Sequence, residues 1–281
     1  MGRPDGKRIK NAEPMYMVAA HLMNKRVDSM NMITVDLPLD PMNEYIHKKR
    51  NQDGVIITHM ALLLAAYLRT ACEYPALNRF VVNKRIYARN EFCVGLVVLK
   101  TDDPGNGIMS KIYFDMNDTV FDVQRKIDEY VEANRTSEKD NSTEKMIKTL
   151  LKIPGLCNFG VGMFRFLDKH GMLPKSVIDA SPFHESLLLS NLASIRTNHI
   201  YHHVYEFGTT SVSITMGNPR MVPKVKKGEV VFEKTLPLGV VMDERICSGS
   251  YFARVFKRVL GYLKDPTQLE VPPEKINKDE F

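Results

Sequence analysis

The stretch that most constrains this chain lies at 238–253. Leu238-Gly-Val-Val-Met-Asp243-Glu244-Arg245 is an apolar run that ends abruptly in charge, and Ile246-Cys247-Ser248-Gly249 follows as a tight turn. Phe252, Val255, Phe256, Val259, Leu260 and Leu263 then recur at helical spacing until Asp265-Pro266. An unbroken apolar run of this length reads as a buried strand, and the i, i+3, i+4, i+7 recurrence as an amphipathic helix. A buried strand closed by glycine onto a packed helix holds the charged turn at the end of a sheet, a place where ligands and reacting groups gather.

The rest of the chain supplies more strands and helices. Spacing predicts a helix over 16–30, a half-buried strand over 33–39 (Ile33, Val35, Leu37, Leu39) and a charged surface helix over 42–50. Thr58 is a candidate cap for a helix that Pro75 stops, and its Leu62-Leu63-Leu64-Ala65-Ala66 composition implies burial on most sides. A hairpin turning at Asn83-Lys84 comes next, then a central strand over 92–99, a loop over 102–107 and a strand over 108–114. Thr119 and Asp122 form a capping box, and a helix over 158–169 follows the charged connection at 132–145. Strands are expected over 187–192 and 210–217, a basic turn over 222–228, two strands over 229–242 broken at Pro237, and a mobile polar tail over 270–281. No Pro/Gly/Ser-rich linker divides the chain, so 1–281 is read as one domain; its core is expected over about 7–269, the span of the family resemblance described below.

Composition narrows the function classes. With 281 residues, 44% hydrophobic and 26% charged, the chain can bury a large core. The net charge of +6 is spread along the sequence without a basic arm, which reads as a solvated surface and not as a nucleic-acid site. Cys72, Cys93, Cys157 and Cys247 form no Cys-x-x-Cys pair and sit among apolar neighbours, as reduced thiols of a cytoplasmic protein do. The most apolar helical run, 60–74, carries Arg69 and Glu73 and is too short to span a bilayer, so no membrane role is expected.

Three stretches carry a family resemblance: Asp243 to Gly249, the Pro75-Ala-Leu-Asn78 element with its hairpin, and Ser190-Asn191-Leu192 at the end of a strand. Together they resemble the catalytic domain of the dihydrolipoamide acyltransferases of 2-oxo acid dehydrogenase complexes, in the chloramphenicol acetyltransferase superfamily. The resemblance implies an α/β two-layer sandwich, a mixed sheet with flanking helices, in which a strand ends in Asp-His-Arg-x-x-Asp-Gly. Here the general-base His position holds Glu244 and the second Asp position holds Ser248. Ser190 stands at the position of the hydroxyl that donates to the oxyanion. The resemblance makes Asp243, Arg245, Ser248, Gly249 and Asn191 turn or channel positions, and His202 and His203 are read as part of a polar loop lining the channel or a subunit interface.

What the resemblance implies for function is therefore divided. One expectation is a catalytically degenerate member, an oligomeric scaffold or a coenzyme A or acyl-ligand binder. The other is an active coenzyme A-dependent acyltransferase, passing an acyl group to a thiol, amine or hydroxyl, with Glu244 as base and Ser190 as oxyanion donor. A carboxylate near pKa 4.3 is about two units less basic than imidazole, and losing a positioned base costs roughly 10²- to 10⁴-fold in rate. For Glu244 the alternative role is an ion pair with Arg245 or another nearby cation, and for Cys247 that of a buried structural thiol. The resemblance also implies a homotrimer or a larger assembly of trimers, open to co-assembly with an active relative. No lipoyl or subunit-binding module is recognisable.

Two further clusters stand out. His199, His202, His203 and Glu206 have i, i+4 spacings that could hold a metal for a hydrolase if the segment were helical, but its β-branched and aromatic residues argue for extended backbone and no metal is expected. Lys224, Lys226 and Lys227, in the basic turn, are candidate contacts for coenzyme A phosphates.

Overall fold

The computed structural model describes residues 2–99, 107–135, 149, 151, 152 and 155–279. Its strands are β1 (Gly6–Arg8), β2 (Met30–Pro38), β3 (Arg79–Val82), β4 (Arg85–Arg89), β5 (Phe92–Leu99), β6 (Gly107–Phe114), β7 (Leu187–Asn191), β8 (Val212–Met216), β9 (Arg220–Lys226) and β10 (Glu229–Asp243). The helices are α1 (Pro14–Leu22), α2 (Leu39–Lys48), α3 (His59–Glu73), α4 (Val120–Arg135), α5 (Leu156–Lys169), α6 (Lys175–Ala180) and α7 (Gly249–Lys264). The main sheet has seven strands in the order β2-β10-β8-β7-β5-β6, with β9 added to β10. It is mixed, because β5–β7 and β7–β8 are parallel and the other pairs antiparallel. A smaller sheet, β1-β4-β3, stands beside it.

Alternation along the strands decides which face takes the helices. Val35, Leu37, Val94, Leu96, Leu189, Ile214, Leu238 and Val240 belong to one buried cluster with α3, α4 and α7. Several intervening positions, among them Cys93, Ser213, Thr215 and Asp243, point to the other face and are also buried. Helix α3 is the central layer, with Leu62, Leu63, Leu64 and Leu68 at 1% exposure or less. Its start is fixed as expected, the Thr58 hydroxyl accepting from the Ala61 N–H at 3.1 Å. The α4 box also forms: the Thr119 N–H donates to Asp122 at 3.0 Å and the Asp122 N–H to the Thr119 hydroxyl at 3.4 Å.

Several expectations need correction. The helix expected over 16–30 is α1 followed by a 3-10 turn at Arg26–Asp28, and the strand after it begins at Met30. Arg26 explains the break, because its side chain turns inward to a buried site instead of continuing an apolar stripe. The basic turn is the strand β9 with a two-residue turn at Lys227-Gly228, both at positive φ. Pro237 does not break β10. The strand pairs with β9 only up to Thr235 and with β8 only from Leu238, so the missing proline N–H falls where one partner gives way to the next. The tail is not free up to residue 279: Arg79 holds Asp279 through two bonds of 2.6 Å, and the Asn277 N–H donates to the Cys72 carbonyl at 2.8 Å. The loop at 102–107 and the charged connection at 132–145 lie largely outside the described residues.

Candidate active site

The end of β10 is built around Asp243, which is fully buried. Arg245 grips it with Nε at 2.9 Å from Oδ1 and Nη2 at 2.7 Å from Oδ2, while its own backbone N–H donates to Oδ1 at 3.0 Å. The Ser29 hydroxyl donates to the same Oδ1 at 2.9 Å, and Arg26 Nε stands 3.9 Å from Oδ2. A buried carboxylate gripped by one guanidinium and a hydroxyl, with a second guanidinium close by, is firmly oriented. Arg245 is largely buried, yet its charge is held: burial disfavours it, and the Asp243 hydrogen bonds outweigh that cost.

Glu244 follows directly. Its N–H donates to the Ser29 carbonyl at 2.8 Å, which fixes the backbone, and its half-buried carboxylate meets no partner among the described residues. The ion pair with Arg245 that sequence suggests does not form, because Asp243 already occupies that guanidinium. Ser248 caps α7, its hydroxyl accepting from the Tyr251 N–H at 3.2 Å, and its N–H donates to the Tyr16 hydroxyl at 3.0 Å. Gly249 opens the helix beyond it. The Cys247 thiol is buried, and burial pushes its pKa far above the ordinary value, so it is no nucleophile.

Ser190 lies elsewhere. On β7 it is level with Thr215 of β8, which in turn is level with Gly239 of β10. From Gly239 to Glu244 the chain advances about 17 Å along the sheet, so within one chain Ser190 and Glu244 stand far apart. Asn191, next to Ser190, lines a separate cleft of about 350 Å³, and its buried Oδ1 finds no partner there among the described residues.

The histidine segment runs extended across the outer face of the sheet. The Ile200 N–H donates to Thr215 Oγ1 at 3.1 Å, and a Cβ on Gly239 would overlap the Ile200 carbonyl, so this glycine is what lets the strap lie flat. His199 Nε2 turns to Thr34 at 3.3 Å, His202 and His203 stack at 4.9 Å, and Glu206 Oε2 accepts the Arg26 N–H at 2.7 Å. These four side chains do not converge. Among the described residues no group of three His, Cys, Asp or Glu is placed to hold a metal ion. Two of the three hairpin lysines are engaged, Lys224 with Glu233 at 2.6 Å and Lys226 with the same carboxylate, whose pKa these two hydrogen bonds lower to about 2, while Lys227 stands in the turn itself.

Sequence reasoning missed two groups. Arg26 donates to the Tyr205, Glu206 and Gly208 carbonyls at 2.8, 3.0 and 2.7 Å and so ties the strap to the Asp243 end. No local pattern marks it; a lone arginine before Val27-Asp28 reads as surface. The second is a buried row: Ser181 Oγ stands 2.8 Å from His184 Nδ1, and His184 Nε2 3.3 Å from Asp168 Oδ1, which Arg3 holds at 2.7 Å. Burial depresses the His184 pKa and keeps the ring neutral. With Ser181 only 2% exposed, this row braces α5 and offers no substrate access.

No family model matches the sequence, and no curated protein matches it. Solved structures do. A probable dihydrolipoamide acetyltransferase from Listeria monocytogenes is similar over 92% of this chain and 94% of its own, with TM-score 0.58 at 11% identity. The cubic core of the pyruvate dehydrogenase multienzyme complex is similar over 91% and 88%, with TM-score 0.59 at 14% identity. A chloramphenicol acetyltransferase is similar over 92% and 99%, with TM-score 0.55 at 13% identity. The fold is the chloramphenicol acetyltransferase fold. Within that acyltransferase fold, the Asp243 to Gly249 turn is the junction of β10 and α7, where the sequence places it. No helix among the described residues is long and apolar enough to cross a membrane.

Proposed function

We propose that this chain is a catalytically degenerate acyltransferase-fold protein that binds coenzyme A or an acyl ligand within an oligomer. The feature that carries this reading is Glu244: a carboxylate at the position that the sequence resemblance gives to the general-base imidazole, beside an Asp243–Arg245 pair that is already satisfied. No side chain among the described residues hydrogen-bonds the Glu244 carboxylate, whereas a working base is held by a hydrogen-bonded neighbour.

The distance between Ser190 and Glu244 supports the oligomer. If both serve one site, Ser190 must come from one copy and Glu244 from another, and a homotrimer built with its channel between subunits supplies that arrangement. An active relative in the same assembly would complete a mixed site.

The test is an acetyl-transfer assay from acetyl-coenzyme A to dihydrolipoamide, with native mass and coenzyme A calorimetry in the same buffer. Binding at trimer mass without turnover is the expected result; turnover at ordinary enzymatic rates would overturn degeneracy. The lack of any partner for Glu244 favours one rival reading, in which the free carboxylate accepts the proton and Ser190 holds the oxyanion. In that case Glu244→Gln abolishes turnover and leaves the fold intact.

A further inference from the structure

The hollow beside Arg245 carries more positive charge than its own carboxylates balance. It is a cleft of about 520 Å³ between residues 24–26, the tip of the β3–β4 hairpin, the last turns of α5 and residues 206–208. Lys25, Lys84, Arg165 and Lys169 line it, all exposed, and none meets a carboxylate among the described residues. The two acidic side chains on its wall are already engaged, Asp168 with Arg3 at 2.7 Å and Glu206 with the Arg26 N–H at 2.7 Å. Deeper in, Arg26 is 3% exposed, and its Nε, 3.9 Å from Asp243 Oδ2, makes no hydrogen bond. A buried guanidinium with a spare donor, behind four loose cations, is an arrangement that an incoming anion stabilises.

The shape narrows the anion. A concave site of this volume fits a small molecule, whereas a nucleic-acid strand needs an open basic track. The hairpin tip is fixed, with Asn83 and Lys84 at φ of 49° and 61° in a two-residue turn, so Lys84 projects from a rigid corner. Arg165 and Lys169 lie one turn apart on α5, a spacing that lets both reach one extended anion. Guanidinium forks take phosphate oxygens in pairs, while ammonium groups act as point charges, and the cleft offers both.

We propose that this cleft binds a small ligand carrying a diphosphate group. The site needs neither Glu244 nor Ser190, so it stands or falls apart from the acyl-transfer reading. Inorganic pyrophosphate is the probe, titrated into the intact chain by calorimetry. Saturable binding that weakens with added salt is expected, as is a loss of about tenfold or more in the Arg165→Glu/Lys169→Glu double variant and a smaller loss in Lys84→Gln. Lys264→Glu, at the far end of α7, leaves binding unchanged. No saturable binding at millimolar pyrophosphate, or equal binding by a double variant whose circular dichroism matches the parent, overturns the proposal. Competition by coenzyme A would identify its diphosphate as the occupant, and pyrophosphate binding undisturbed by coenzyme A would assign the cleft to another diphosphate compound; both results uphold the site.

Discussion

The two faces of the large sheet bury their residues by opposite means. Toward the helices, Leu189, Ile214, Leu238 and Val240 meet α3 and α7 in a layer that asks only for volume. Toward the strap, Ser213, Thr215, Glu185 and Asp243 are equally hidden, but each must be matched donor by acceptor. The matching is incomplete: the Ser211 and Ser213 hydroxyls and Glu185 Oε2 have no partner among the described residues. Burial raises the Glu185 pKa well above the carboxylate range, so it is carried as the neutral acid. Cohesion is concentrated on the helix face and chemical specificity on the strap face, as the position of the Asp243 turn also shows.

Substitutions can break that contrast or sharpen it. The largest effect is expected on the strap side: Asp243→Asn leaves two buried guanidiniums without their counter-charge and should cost about 3–5 kcal/mol in a urea melt. If the loss is below about 1 kcal/mol, the polar face does not depend on matched charge. On the helix side, Leu238→Ala opens a cavity at a fully buried position and should cost about 3 kcal/mol, with the strap's hydrogen-exchange pattern unchanged.

The third effect is read against pH. Burial by itself would raise the Asp168 pKa, but the His184 hydrogen bond and the Arg3 guanidinium bring it down from 3.8 to about 2. A lowered carboxyl pKa gives stability that is full above about pH 4 and is lost as pH falls toward 2, worth about 2 kcal/mol. Asp168→Asn should flatten that acid limb. The smallest effect is the most diagnostic: Ser213→Ala removes an unmatched hydroxyl and should leave stability within about 0.5 kcal/mol of the parent or raise it, whereas a loss of more than about 1 kcal/mol would reveal a partner.

Local patterning made the helix face legible in advance. Period-two alternation and unbroken apolar runs placed the strands, and Thr58 and the Thr119–Asp122 pair placed two helix starts, because each signal is confined to neighbouring residues. The strap face was not legible in the same way. Arg26 meets residues 205–208 across the fold, and Asp279 meets Arg79; such pairings leave no periodic trace. The candidate site was half legible. The β10–α7 turn lies where the sequence put it, but the separation of Ser190 from Glu244 follows from strand order, which composition does not encode. Pro237 misled for a related reason, since its tolerance depends on which neighbour each end of β10 has.

That exchange of neighbours at Pro237 divides one strand into two mechanical parts. Residues 229–234, largely exposed and paired with β9, can open from the Lys227-Gly228 tip inward. The opening halts where β8 takes over, because from Leu238 onward each further residue released uncovers core on both sides of the strand. The hairpin can therefore flex or accept bulky replacements at its tip while the charged end near Asp243 keeps its alignment.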